Sequence, residues 1–132
     1  RKDFTKKIDY VSSDELNKYM SKTKICNYDF EVFCNKVELT ENDFMFLDPP
    51  YDTEFSTYAK NDFDKDDQIR LANYLSKTKA KFMLIIKNTD FIYDLYKDRG
   101  FNIESFDKKY LVSFMNRNDK DVEHLLITNY DF

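Results

Sequence analysis

The apolar residues of this chain fall into continuous runs separated by helical stripes. Phe44-Met45-Phe46-Leu47 is unbroken and ends on Asp48. Lys81 to Lys87 encloses a second run, Phe82-Met83-Leu84-Ile85-Ile86. Such runs suit strands buried on both faces, as in a parallel sheet. Between them, Lys65 to Lys77 has a helical period, with Ile69, Ala72 and Leu75 on one face and Asp64 as the cap. Asp90 to Arg99 repeats that period, with Phe91, Ile92, Leu95 and Tyr96 inward and Gly100 where a C-terminal cap belongs. Upstream, Ser12-Ser13-Asp14-Glu15 predicts a capping box with Ser12 as N-cap, followed by Leu16, Tyr19 and Met20 on one face. Glu31 to Val37 predicts a short helix. Ile25 to Tyr28, Phe101 to Phe106 and Val122 to Tyr130 predict strands, and Tyr110 to Met115 a further extended stretch. Residues 1–11 are basic and polar, with no clear period.

Strands alternating with helices predict an α/β fold with a mostly parallel sheet. The final strand follows without a helix, so antiparallel pairing is expected at that edge. A chain of 132 residues makes one ordinary domain, and a hydrophobic content of 42% supplies a packed core. Aromatics reach 17%, all Tyr and Phe.

Charge narrows the function classes. Lys and Arg number 21 against 25 Asp and Glu, a net −4. There is no bulk attraction for nucleic acid, so any such contact must come from a local basic face. Cys26 and Cys34 form no CxxC, and the single His offers no metal cluster. Both thiols are expected to be reduced core fillers of a cytoplasmic protein. The start, Arg1-Lys2-Asp3-Phe4, carries no apolar signal segment, and no run approaches a membrane span. It carries no initiator Met either, which is read as a chain starting mid-protein.

The candidate chemistry lies at the chain's only two prolines, Pro49 and Pro50. They follow a buried strand directly, and in open α/β sheets ligands bind outside the carboxyl ends of the strands. Pro49 restricts Asp48 to an extended conformation, and each proline fixes φ and removes an N–H. The Asp48 carboxylate and a proline carbonyl then form a rigid acceptor pair beside the flat face of Tyr51. That set suits a planar base bearing an exocyclic amine. A bare Pro-Pro pair is more often only a turn.

The full stretch Phe44 to Leu47 followed by Asp48-Pro49-Pro50-Tyr51 resembles the catalytic motif of amino-methyltransferases. The Asp form is typical of those making N6-methyladenine in DNA. Phe55-Ser56-Thr57-Tyr58, Phe63, Gln68-Ile69-Arg70-Leu71, Val112 to Asn118 and Glu123 to Tyr130 are similar to the Dam-type (D12 class) DNA adenine-N6 methyltransferases, over nearly the whole chain. The resemblance implies a Rossmann-like methyltransferase sheet and S-adenosylmethionine as cofactor. Asp48 and the Pro49 carbonyl would hold the target amine, Pro50 would complete the motif, and Tyr51 would stack on the flipped adenine. It implies cofactor contacts at Asp29, Phe30 and Asp48, and double-stranded DNA as partner. Residues 52–64 are expected to form a loop over the site, with Tyr58 and Lys60 as substrate contacts; the same charge run also suits a solvated loop. Asn116 and Arg117 suit a DNA contact or a polar hairpin turn equally. Lys108 and Lys109 could add phosphate contacts. His124 has no partner signature and is read as structural.

One part of the family pattern is missing. Members carry a glycine-rich cofactor loop near the N-terminus, whereas this chain's only glycine, Gly100, lies past the motif. The expectation is therefore an incomplete sheet whose first strands are absent. Residues 1–11 would be the tail of the target-recognition region and residues 12–132 the α/β part. Exposed strand edges would be covered by the absent N-terminal portion, a second chain or a homodimer partner. The setting implied is a bacterial or phage DNA-modification system. The competing reading is a degenerate module that binds nucleic acid or a partner without catalysis. RNA or a protein amide are the other substrates of the same chemistry; those relatives commonly carry Asn at the first motif position.

Overall fold

The computed structural model describes residues 11–51, 63–108 and 122–131. The chain divides into two compact units, Arg1–Phe33 and Cys34–Phe132, each considered by itself.

In the first unit, α1 (Asp14–Met20) is capped by Ser13, which is extended at φ −70°, ψ 143° and accepts a hydrogen bond from the Leu16 N–H at 3.3 Å. The cap is thus Ser13 rather than the expected Ser12, and it forms no box, since the residue three positions on is Leu16. A cap must accept from the second or third helical N–H, and Ser12 stands too early for that. The expected strand at Ile25 to Tyr28 is irregular: it pairs with no described strand, and Ile25 is 79% exposed. A short apolar run without a ladder partner has nothing to hold it as a strand. Asp29 starts α2 (Phe30–Val37), its Oδ1 accepting from the Glu31 N–H at 3.0 Å and the Val32 N–H at 3.3 Å.

The second unit is built on four strands, β1 (Phe44–Leu47), β2 (Lys81–Lys87), β3 (Asn102–Lys108) and β4 (Val122–Thr128), in the order β1-β2-β4-β3. β1 and β2 are parallel, with Met45 opposite Phe82. β4 pairs antiparallel with both β2 and β3, with Ile127 opposite Leu84 and Ile103. The expected mostly parallel sheet is corrected here. The last strand does not add to an edge but inserts between β2 and β3, so only the β1–β2 pairing is parallel. The fold is α/β with a mixed sheet.

Alternation along β2 buries Phe82, Leu84 and Ile86 on one face, together with Met45, Leu125 and Ile127. α3 (Lys65–Leu75) and α4 (Asp90–Tyr96) add Leu71, Ala72, Leu75, Ile92 and Tyr96 to the core. Phe101 joins the layers, meeting Phe82 edge-on at 5.2 Å and Tyr96 at 6.1 Å. Burial pushes the Tyr96 hydroxyl far above the usual tyrosine range, partly offset by the Arg99 charge. On its other face β1 leaves Phe44 55% and Phe46 61% exposed. The expectation of burial on both faces therefore fails for β1.

Asp64 caps α3 as expected and forms a capping box with Asp67. The helix stops at Leu75, two residues short of Lys77, and its buried stripe is Gln68, Leu71, Ala72 and Leu75, with Ile69 turned outward at 39% exposure. Positions i, i+3, i+4 and i+7 form one face, and a polar residue heads it. α4, capped by Thr89, ends at Tyr96 rather than Arg99. Arg99 then donates to the Leu95 carbonyl at 2.6 Å, to Asn73 at 3.1 Å and to Ser76 at 3.0 Å, tying the ends of both helices together. Gly100 leaves at φ 77°, the left-handed exit expected of a glycine after a helix.

A Thr40–Asp43 turn aims the chain into β1. The Asp43 carboxylate accepts from the Thr40 N–H at 2.7 Å and the Thr40 hydroxyl at 2.9 Å, which hold its carboxyl below the usual range. At the far end of the chain, β4 stops at Thr128 instead of Tyr130 because Asn129 turns its side chain back. Its Oδ1 accepts from the Phe82 N–H at 2.9 Å and its Nδ2 donates to the Ala80 carbonyl at 3.0 Å. Asn129 thus substitutes for a missing ladder at the start of β2. Asn129→Ala is expected to cost about 1–3 kcal/mol, read as a lowered melting midpoint; an unchanged midpoint would show that water replaces the amide.

Candidate active site at the carboxyl ends of the strands

β1 delivers Asp48, Pro49, Pro50 and Tyr51 to the carboxyl end of the sheet. Because β4 runs the opposite way, its first residues lie at that same end, with His124 opposite both Lys87 and Phe106. Asn88 fastens the neighbouring corner, its N–H donating to the Glu123 carbonyl at 2.9 Å and its Nδ2 to the Glu123 carboxylate at 2.8 Å.

Tyr51 rests against this platform. Its ring meets the His124 ring edge-on at 5.3 Å and 72°, and its hydroxyl oxygen lies 3.3 Å from His124 Nε2. His124 is fully buried and also packs on Phe106, with ring centroids 5.8 Å apart. The hydroxyl is therefore directed into the protein. One residue earlier, Gln68 Nε2 donates to the Pro50 carbonyl at 2.9 Å. The two proline nitrogens have no proton to donate, so this turn depends on side chains from elsewhere for its bonding. Asp48 is exposed, and its carboxylate makes no hydrogen bond or ion pair with any described residue.

Such an arrangement offers an open carboxylate, rigid carbonyls and a braced aromatic ring within four consecutive residues. It can orient a planar amine. Among the described residues no group of His, Cys, Asp or Glu could hold a metal ion.

The other expected residues fall elsewhere. Phe30 lines an open cleft of about 450 Å³ in the first unit, with Lys24, Ile25, Cys26, Tyr28 and Phe33, while Asp29 caps α2 beside it. Tyr58, Lys60, Lys109, Asn116 and Arg117, and the stretch Tyr110 to Met115, lie outside the described residues. Lys108 closes β3. Cys26 and Cys34 are free thiols, and Cys34 is buried. Two residues at the site had no assigned contact in the sequence, Gln68 and His124. The signal for Gln68 was its position at the head of the 68, 71, 72, 75 stripe. For His124 alternation gave no signal: it lies on the face opposite Leu125 and Ile127, beside Lys87 and Phe106, where Tyr51 packs against it.

Residues 1–112 match the family model described as D12 class N6 adenine-specific DNA methyltransferase. The chain is 33% identical over 123 residues to the type II methyltransferase M.CviBI of Paramecium bursaria Chlorella virus NC1A, covering 91% of this chain and 46% of that protein. It is 36% identical over 133 residues to the type II methyltransferase M.MjaIII of Methanocaldococcus jannaschii, covering 93% of this chain and 45% of that protein. The retron Ec67 DNA adenine methylase of Escherichia coli is 29% identical over 93 residues, covering 67% of this chain and 33% of that protein. The chain thus spans less than half the length of these relatives. With the Asp48 to Tyr51 motif in place at the end of β1, the chain belongs to the D12 class of N6 adenine-specific DNA methyltransferases.

Proposed function

We propose that this chain supplies the catalytic part of an enzyme that methylates the N6 amine of adenine in double-stranded DNA. The observation that carries the reading is the open Asp48 carboxylate beside a Tyr51 ring braced by His124. Asp48 and the Pro49 carbonyl accept the two amine N–H groups and turn the nitrogen lone pair outward. Tyr51 stacks on the base, which must leave the duplex to reach these groups. S-adenosylmethionine, when bound, supplies a methyl group on a positively charged sulfur. The amine nitrogen would accept that methyl group and lose one proton while Asp48 and the Pro49 carbonyl hold it. Holding the amine in line supplies much of the rate.

The aromatic cleft at Tyr28, Phe30 and Phe33 suits a flat purine, which supports Phe30 and its neighbour Asp29 as cofactor contacts. Tyr58, Lys60, Asn116 and Arg117 are the proposed DNA contacts. The sheet is read as the carboxyl half of a Rossmann-like methyltransferase sheet, with residues 1–11 as the tail of the recognition region. The glycine loop and first strands would come from a longer product, a second chain or a dimer partner. No described helix is long and apolar enough to cross a membrane.

The test is product analysis. The complete gene product, incubated with S-adenosylmethionine and double-stranded DNA, is expected to yield N6-methyldeoxyadenosine on nucleoside digestion. Methylcytosine alone, or no methyl transfer with cofactor and DNA both bound, would overturn the reading.

A further inference from the structure

Gln68 occupies a place where stability alone would favour a hydrocarbon. It is 1% exposed and heads the buried stripe completed by Leu71, Ala72 and Leu75. Its Nε2 reaches across 18 residues of sequence to the Pro50 carbonyl at 2.9 Å, while its Oε1 is buried without a hydrogen-bond partner. A buried amide with one end unsatisfied is a cost to the fold, and a side chain of similar length and no polar atoms would avoid it. The amide therefore needs another reason to be there, and among the described residues the polar group its side chain bonds is the carbonyl of the turn that carries Asp48 and Tyr51.

We propose that Gln68 is a positioning residue that decides which proline carbonyl faces the substrate. This rests on the reading of Asp48 to Tyr51 as the methyl-transfer site. Neither proline has an N–H, so no backbone donor within the Pro-Pro pair competes for either carbonyl. By drawing the Pro50 oxygen toward α3, Gln68 sets the plane of the Pro50–Tyr51 peptide. That plane fixes where the Tyr51 ring starts, and it leaves the Pro49 carbonyl as the acceptor beside Asp48. His124 completes the alignment by holding the far end of Tyr51. The turn is thus gripped at a carbonyl and at a hydroxyl by side chains from α3 and β4, and only the outer acceptors stay open.

The experiment compares Gln68→Met and Gln68→Glu with the unchanged complete gene product, reading kcat, KM for cofactor and DNA, and melting midpoint, with Asp48→Ala alongside. Gln68→Met keeps the length and removes the donor. Its melting midpoint is expected to match or exceed that of the parent, while kcat falls about 10- to 100-fold with little change in either KM, since misorientation acts on the chemical step. Gln68→Glu can donate to the Pro50 carbonyl only when protonated. Its kcat relative to the parent is expected to be lowest at high pH and to climb as pH falls. Should Gln68→Met fail to fold, that pH recovery decides alone. A Gln68→Met enzyme within twofold of the parent, or a Gln68→Glu enzyme with the parent's pH profile, overturns the proposal. If instead Asp48→Ala retains activity, the underlying site reading fails, whatever Gln68 does.

Discussion

Asp48→Ala is expected to reduce adenine methylation by the complete gene product by about a thousandfold or more, with no loss of folding. On the chemical side, the carboxylate is the only charged group of the motif, and in the proposed reading it is what turns the amine toward the methyl donor. Removing a group that orients or stabilises the reacting atoms typically costs about 10²–10³ in rate, and loss of in-line geometry adds to that. On the structural side, Asp48 is exposed and bonded to no described residue, so the fold has little to lose. Surface changes of that kind usually stay within about 0.5 kcal/mol. The diagnostic result is the split itself: an unchanged melting midpoint with methylation abolished. Methylation that survives would refute the assignment of Asp48. It would also revive the competing idea of a module that binds without catalysing.

The contrast between Asp48 and its supports explains what was legible in the sequence. The motif was readable because its grammar is local. An apolar run, an acid, two prolines and a tyrosine constrain one another within eight residues, Phe44 to Tyr51. The helix caps at Asp64 and the exit at Gly100 are local in the same way. What could not be read was anything that depends on which strand lies beside which. β4 follows β3 in sequence yet inserts between β2 and β3, and that single placement turns a mostly parallel expectation into a mixed sheet. The same insertion brings His124 to Tyr51, 73 residues away, and makes a partner for a histidine that had none in the sequence. Gln68 was missed for a related reason: a helical stripe scored on hydrophobicity skips a glutamine, although its spacing to Leu71, Ala72 and Leu75 marks it as inward. At Ile25 the error ran the other way, where apolar character suggested a strand that has no neighbour to pair with.

The largest effect on stability is expected from Phe82→Ala. Phe82 is fully buried near the start of β2, opposite Met45, and its ring meets Phe101 edge-on at 5.2 Å. Truncating a buried phenylalanine costs about 3–5 kcal/mol, because the cavity closes only in part. Phe82 also links to Tyr96 through Phe101, so collapse would have to move two rings at once. Against a total stability of about 5–15 kcal/mol, such a loss brings the unfolded state within reach near body temperature. Denaturant titration should show the midpoint falling sharply with the slope unchanged. Phe46→Ala supplies the comparison. The same deletion on the opposite face of the adjacent strand removes a ring that is 61% exposed, so in the 132-residue chain it should cost under about 1 kcal/mol. The two variants then become a probe of what covers β1. If Phe46→Ala stays mild in the 132-residue chain but becomes costly in the complete gene product, the exposed face of β1 is an internal surface of the larger enzyme. If it is costly in the 132-residue chain in proportion to protein concentration, the cover is a second copy. If it is mild in both, the incomplete-sheet reading loses one of its supports, because apolar rings left in water by half a sheet should be buried by the other half.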